Sequence, residues 1–266
     1  MAKKKVLFLA QEIHPYVEES PVGFISQLLP LGIQESGVDI RTFMPNYGTI
    51  NERRNQLHEV IRLSGMNLVV NDKVHQLIVK VASLQPARMQ VYFIDNDDFF
   101  ARKGTLVDDQ GKLYEDNAER AVFFIRGVME TIKKLKWVPD IIHCQGWFTG
   151  LAPLYLKTMY KDDPALSKAK IVFSAYDLTP QEPFGAELKE VLAYDKIKDP
   201  LLTDEPMDRE SLVKLINKYI DGMVISTNEV SDDLLEAIHT SGNKYLDYHE
   251  PDKLVDAVKE FYKELT

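Results

Sequence analysis

The densest run of residues able to do chemistry is QEIHPYVEESPVGFISQLLP, residues 11–30, where Glu12, His14, Tyr16, Glu18, Glu19 and Ser20 lie between an apolar run and a helical pattern. Carboxylates and an imidazole at such a junction can move a proton, hold a cation or hydrogen-bond sugar hydroxyls. The spacing of His14, Glu18 and Glu19 matches no metal-ligand pattern, so these three read as a solvated acidic loop; neither a metal nor a cofactor is expected. Tyr16, beside Pro15, lies at the mouth of this junction. A second run, HCQGWFT at 143–149, holds His143, Cys144, Gln145, Trp147 and Thr149. His143 falls inside a strand pattern and reads as a packed, hydrogen-bonded histidine. Cys144 has no evident base or cation beside it to lower its pKa. Trp147 offers a stacking face, although an aromatic at a strand-to-helix corner usually packs into the core.

Alternating strand and helix patterns position these residues. Residues 5–10, apolar on both faces, fit a central strand covered by helices. A helix is predicted over 21–36, stopping before Gly37, then a strand over 39–44 and a strand-rich stretch between 57 and 94 that includes 76–81 and 90–94. A long amphipathic helix follows over 117–136, then a strand at 140–144, a helix near 148–160 and a strand at 170–174. Residues 177–208 read as loop with one short helix near 186–193. Helix 211–219, strand 222–226, helix 228–238 and helix 251–265 complete the chain. The alternation predicts an α/β fold, a doubly wound parallel sheet in one Rossmann-like domain, with ligands at the carboxyl ends of the strands.

Composition narrows the function. The chain has 266 residues and a formal charge of −9, and its only run of three adjacent cations is Lys3 to Lys5, which excludes a nucleic-acid footprint and a membrane surface. The apolar run at 6–10 is too short for a signal peptide, and no stretch approaches the roughly 20 residues of a membrane span. A single cysteine rules out an internal disulfide, so a cytoplasmic protein is expected.

Several stretches together resemble the bacterial glycogen synthases and plant starch synthases: KVLFLAQEIHPY near the start, RTFMPNYGTI from Arg41, VYFIDNDDFFARKG from Val91, LYEDNAERAVFF from Leu113, WVPDIIHCQGWFTGLAPLYLK from Trp137 and YIDGMVISTNEVSDDLLEAI from Tyr219. They keep the order of that family's amino-terminal domain. The resemblance implies the amino-terminal half of a two-domain, GT-B type glycosyltransferase, here residues 1–240, with 241–266 as a helical tail packing on the same domain. It also implies a glucan acceptor and a sugar-nucleotide donor. The substrate-binding positions it carries over are Glu12, Tyr16, Glu18, Gln145, Trp147 and Thr149, with no catalytic residue assigned.

Departures fall where the family's chemistry lies. Its first junction reads Glu-x-x-Pro-x-x-Lys-x-Gly-Gly-Leu-x-Asp-Val; this chain keeps Glu12 and Pro15 but has Glu18 at the Lys, Ser20 and Pro21 at the glycines and Phe24 at the Asp. The family's Asn-Asp-Trp-His-Thr is here Gln145-Gly146-Trp147-Phe148-Thr149, and its Ile-His-Asn falls near Phe173-Ser174-Ala175. A glycine pair exposes amides to a diphosphate at the positive end of a helix, whereas Ser20 as N-cap and Pro21 at the first helical position satisfy that end internally. Lys-to-Glu at 18 turns attraction into repulsion, each charge pair being worth roughly 1–4 kcal/mol at about 4 Å.

A sugar nucleotide is therefore not expected to bind this chain alone. Few residues follow the last matching run, and the family's second, donor-binding domain is not among them. The leading expectation is a glucan-binding or regulatory protein of glycogen metabolism without transferase activity of its own. The alternatives are a glucosyltransferase completed by a partner chain and an interaction scaffold forming homo-oligomers.

Overall fold

The computed structural model describes residues 3–85, 87–177, 179–203 and 205–266. Strand β1 (Lys5–Ala10) is buried from Val6 onward on both faces, as the centre of a covered parallel sheet requires. It pairs in parallel with β2 (Asp39–Pro45) on one side and β7 (Ile141–Gln145) on the other. Beyond β7 lie β8 (Lys170–Ala175), β9 (Gly222–Ile225) and β10 (Lys244–Leu246); beyond β2 lies β6 (Met89–Asp95), and all of these are parallel.

The far side of β6 departs from the all-parallel expectation. Strand β5 (Lys73–Leu84) runs antiparallel to it and carries β3 (His58–Glu59) and β4 (Met66–Val70), also antiparallel. The β4–β5 hairpin turns through Asn71 and Asp72, with φ of 44° and 66°. That pair is a type I′ turn, the sequence signal for what otherwise read only as a strand-rich stretch.

Helix α1 (Pro21–Glu35) begins at the cap Ser20 and ends before Gly37, whose φ of +92° suits glycine. Helix α2 (Asp97–Phe100) follows β6, with Asn96 as its cap, and α3 (Asn117–Leu135) crosses to β7. The helix expected near 148–160 is split into a 3₁₀ turn at Trp147–Thr149 and α4 (Ala152–Lys157). Helices α5 (Leu188–Tyr194), α6 (Arg209–Tyr219) and α7 (Asp232–His239) precede the final α8 (Pro251–Leu265). Residues 241–266 contain a strand, β10, as well as the expected helix. α8 lies against α1 closely enough that a Cβ at Gly32 would fall 2.6 Å from Val255 Cγ2.

Arg120 on α3 is fully buried. Its guanidinium donates to the carbonyls of Phe99 (2.8 Å) and Thr105 (2.7 Å) and to Asn117 Oδ1 (2.6 Å), and it lies over the rings of Tyr114 and Phe100. No carboxylate pairs with it among the described residues. Burial lowers its pKa to about 10, which still leaves it charged at neutral pH.

Candidate functional site

The carboxyl edge of the sheet, where β1, β7, β8 and β9 end, is the ligand edge of such a fold. At the β1 end, the Gln11 amide donates to the Gln145 carbonyl (2.9 Å), the Gln11 carbonyl accepts from Tyr47 Oη (2.9 Å), and Gln11 Oε1 accepts from the Phe148 amide (3.1 Å). Gly146 permits this approach, having φ +86° and space where a Cβ would lie 2.7 Å from the Gln11 side chain.

The junction itself is self-satisfied. Ser20 Oγ donates to the Glu12 carboxylate and accepts from the Gly23 amide at 2.9 Å. Pro21 has no N–H, and the Phe24 amide donates to the Ser20 carbonyl (2.9 Å). Burial pushes the Glu12 carboxyl above the usual range, with the Ser20 hydrogen bond acting in the opposite direction. Glu18 and Glu19 are exposed on the rim.

The remaining sequence-derived positions lie inside. Tyr16, expected at the mouth, is 5% exposed and packs edge-on against Phe93 at 4.9 Å, and burial raises its phenol to about 12. Trp147 is 7% exposed and sits edge-to-face with Phe148 and Phe184, so it presents no open face. Thr149 is buried, its hydroxyl donating to the Gly146 carbonyl (2.8 Å). Gln145 is buried with neither side-chain atom hydrogen-bonded, and Ser26 Oγ and Tyr176 Oη are likewise unpaired. Tyr176 Oη is directed toward Ser26, Ser174 and Ser226 without reaching hydrogen-bonding geometry.

His143 is bonded on both sides, Nδ1 to Tyr262 Oη of α8 (2.6 Å) and Nε2 to Ser174 Oγ (2.8 Å). Burial lowers its pKa to about 3, so it is neutral at physiological pH and serves packing. Burial raises the Cys144 thiol, which removes its nucleophilic form.

Two further helix starts at this edge carry their own acceptors. Asp208 accepts the Ser211 amide (2.7 Å) at the start of α6. At the start of α7, Asp177 accepts the Ser231 amide (2.8 Å) while pairing with Arg209 (3.1 Å). This contact holds residues 228–231 out of the helix, which is why α7 begins later than the periodicity predicts. The Asp177–Arg209–Ser231 bridge was invisible to sequence reasoning because its members are far apart in the chain, although an Asp just after a strand is a usable signal.

Fold and strand-end geometry define a Rossmann-like α/β domain. The chain belongs to the starch synthase catalytic domain family, whose model matches residues 5–241, and is a glycogen/starch synthase-like glycosyltransferase domain. Among similar proteins, the glycogen synthase of Chlorobium limicola is 39% identical over 175 residues, which are 65% of this chain and 36% of that protein. The glycogen synthase of Chlorobaculum parvum is 37% identical over 201 residues, 75% of this chain and 40% of that protein. This chain therefore matches well under half the length of either relative. The catalytic domain of Starch Synthase IV from Arabidopsis thaliana, solved bound to ADP and acarbose, superimposes with a TM-score of 0.71 at 17% identity, covering 92% of this chain and 51% of that one. At that identity the likeness speaks for the fold alone. No helix among the described residues is long and apolar enough to cross a membrane.

Proposed function

We propose that these 266 residues do not transfer glucosyl groups unaided and act in the cytoplasm as a glucan-binding or regulatory protein of glycogen metabolism. The observation that carries this reading is the closed start of α1: Ser20 takes the Gly23 amide and the Glu12 carboxylate, and Pro21 offers no N–H. A diphosphate would have to displace these bonds and approach Glu18 and Glu19 as well. Residues 1–240 form the family-type domain in this reading, and 241–266 close it.

Glucan contact falls to the rim, because Gln145, Trp147, Thr149 and Tyr16 are buried while Glu18 is exposed and Glu12 partly so. Phe24, 40% exposed on the first turn of α1, supplies an aromatic face there. Two measurements test the reading. Incubation with ADP-glucose or UDP-glucose and a glucan primer should consume no sugar nucleotide; consumption overturns the loss of transfer activity. Calorimetry with maltoheptaose should show binding that Phe24→Ala weakens, and an absence of heat at millimolar ligand removes the glucan half. The triple change Glu18→Lys, Ser20→Gly, Pro21→Gly should gain ADP affinity by about tenfold or more, since each like-charge pair removed is worth about 1–4 kcal/mol.

A second reading is a transferase completed by a partner chain, drawn from the match to the starch synthase catalytic domain family. It requires turnover that appears only when a donor-binding half is added in trans. An oligomer or interaction scaffold has no comparable support from a particular contact.

A further inference from the structure

The opposite edge of the sheet, where the strands begin, differs sharply in charge from the rest of the molecule. A groove of about 710 Å³ there is lined by Lys3, Lys4, Lys5, Lys168 and Lys170, with Asp140 as its one acidic side chain and Thr266 also on its wall. A second groove of about 380 Å³ shares Lys3 and adds Arg88 and Arg41, the latter paired with Asp39 on the same wall at 3.0 Å. In a chain of formal charge −9, five lysines around one concavity reflect placement and not composition.

The cations are incompletely neutralised. Lys170 is paired with Asp221 at 2.9 Å, and the Asp140 carboxylate accepts the backbone amide of Lys5 at 2.7 Å. Among the described residues, Lys4 Nζ donates only to neutral oxygens, the Tyr262 carbonyl (3.2 Å) and Thr266 Oγ1 (2.5 Å). Lys3, Lys5 and Lys168 pair with no carboxylate among the described residues, and Lys5 Nζ lies 5.9 Å from the centre of the Trp137 ring. Partial burial depresses the Lys4 amine, and Lys263 pushes it the same way, whereas Asp140 opposes both. Ammonium groups that outnumber their counter-ions in a concavity focus a positive potential that a bound anion relieves.

We propose that this groove binds a small multivalent anion of the phosphate-ester or diphosphate class. Its volume suits a drug-sized ligand, for which pockets run roughly 300–1,000 Å³. A long polyanion is disfavoured, because beyond a Debye length of about 8–10 Å it would meet a surface of net negative charge. Lysines act as point charges without the planar fork of arginine, so the groove selects charge density over a particular oxygen geometry. This site is independent of the carboxyl edge and of the function proposed for it.

The test is calorimetric titration of the whole chain with inorganic pyrophosphate at low ionic strength. Saturable binding with a Kd of about 1 mM or tighter is expected, weakening as salt is added. Lys3→Glu with Lys168→Glu, both at exposed positions, should lower affinity about tenfold or more, as expected for reversing two charges. Lys253→Glu, in the first turn of α8 and about 20 Å along the helix from the groove, should change it less than about twofold. Tryptophan emission should also shift on binding, through Trp137. No saturation by about 20 mM pyrophosphate, or an equal loss in Lys253→Glu, overturns the proposal.

Discussion

His143 and Gln145 stand two residues apart on β7 and so face the same side of the sheet, both fully buried. Both nitrogens of the histidine are hydrogen-bonded, one to the terminal helix and one to the neighbouring strand. Neither polar atom of the glutamine is. One position is thus optimised for holding the fold, whereas the other retains a polar group whose burial costs stability and serves no structural bond. A buried polar group without a partner beside one that is fully satisfied marks Gln145 as a position where local stability has not been maximised.

Replacing His143 should show the largest effect. His143→Leu leaves Tyr262 Oη and Ser174 Oγ buried and unpaired, an expected loss of about 2–5 kcal/mol in denaturant melts. A loss below about 1 kcal/mol would mean that the pair with α8 is dispensable. Acid titration sharpens the same side of the comparison. Held near pH 3 in the fold but free to protonate near 6.5 when unfolded, His143 gives stability that is complete above about pH 6.5 and falls toward pH 3 by up to about 1.4 kcal/mol per unit. His143→Gln should flatten that slope between pH 6.5 and 4.5, above the range where carboxylates dominate.

Gln145 should behave in the opposite sense. Gln145→Met removes two unpaired polar groups at similar volume and should raise stability by about 1 kcal/mol, read as a higher melting temperature. A loss would show that the amide has partners, such as ordered water, in solution. Ser20→Ala should cost about 1 kcal/mol through the lost N-cap while freeing Glu12.

The smallest effect concerns Glu12. Its folded pKa is raised, so its contribution is fully present below the ordinary carboxylate range and is lost as pH rises through the folded value. Glu12→Gln should therefore stabilise slightly at pH 7, by less than about 1 kcal/mol, and not at pH 4. Equal gains at both pH values would point to a cause other than the charge.

Much of the fold was legible because it is written in local patterns. The two-faced apolar run of β1 and the Ser20-Pro21 start and Gly37 stop of α1 are each dictated by neighbouring residues, as is the stripe of α3. The antiparallel margin was less legible, since β5 alternates like any strand and only its partners reveal direction. Strand β10 has two exposed residues and one half-buried residue, with no periodicity to read. At the site, the closure of α1 followed from residue types alone. The burial of Tyr16 did not, because it depends on Phe93 from a strand more than seventy residues away. The partners of His143 lie 31 and 119 residues off, and no local rule names them.

Arg120 ties α2, the segment after it and the first turn of α3 to one guanidinium, which donates to the Phe99 and Thr105 carbonyls and to Asn117 Oδ1. Those three pieces cannot fray one at a time, since releasing any of them strands a cation in the interior. Their backbone amides should exchange with deuterium as one cooperative block, making residues 97–120 a single step in the loosening of the molecule.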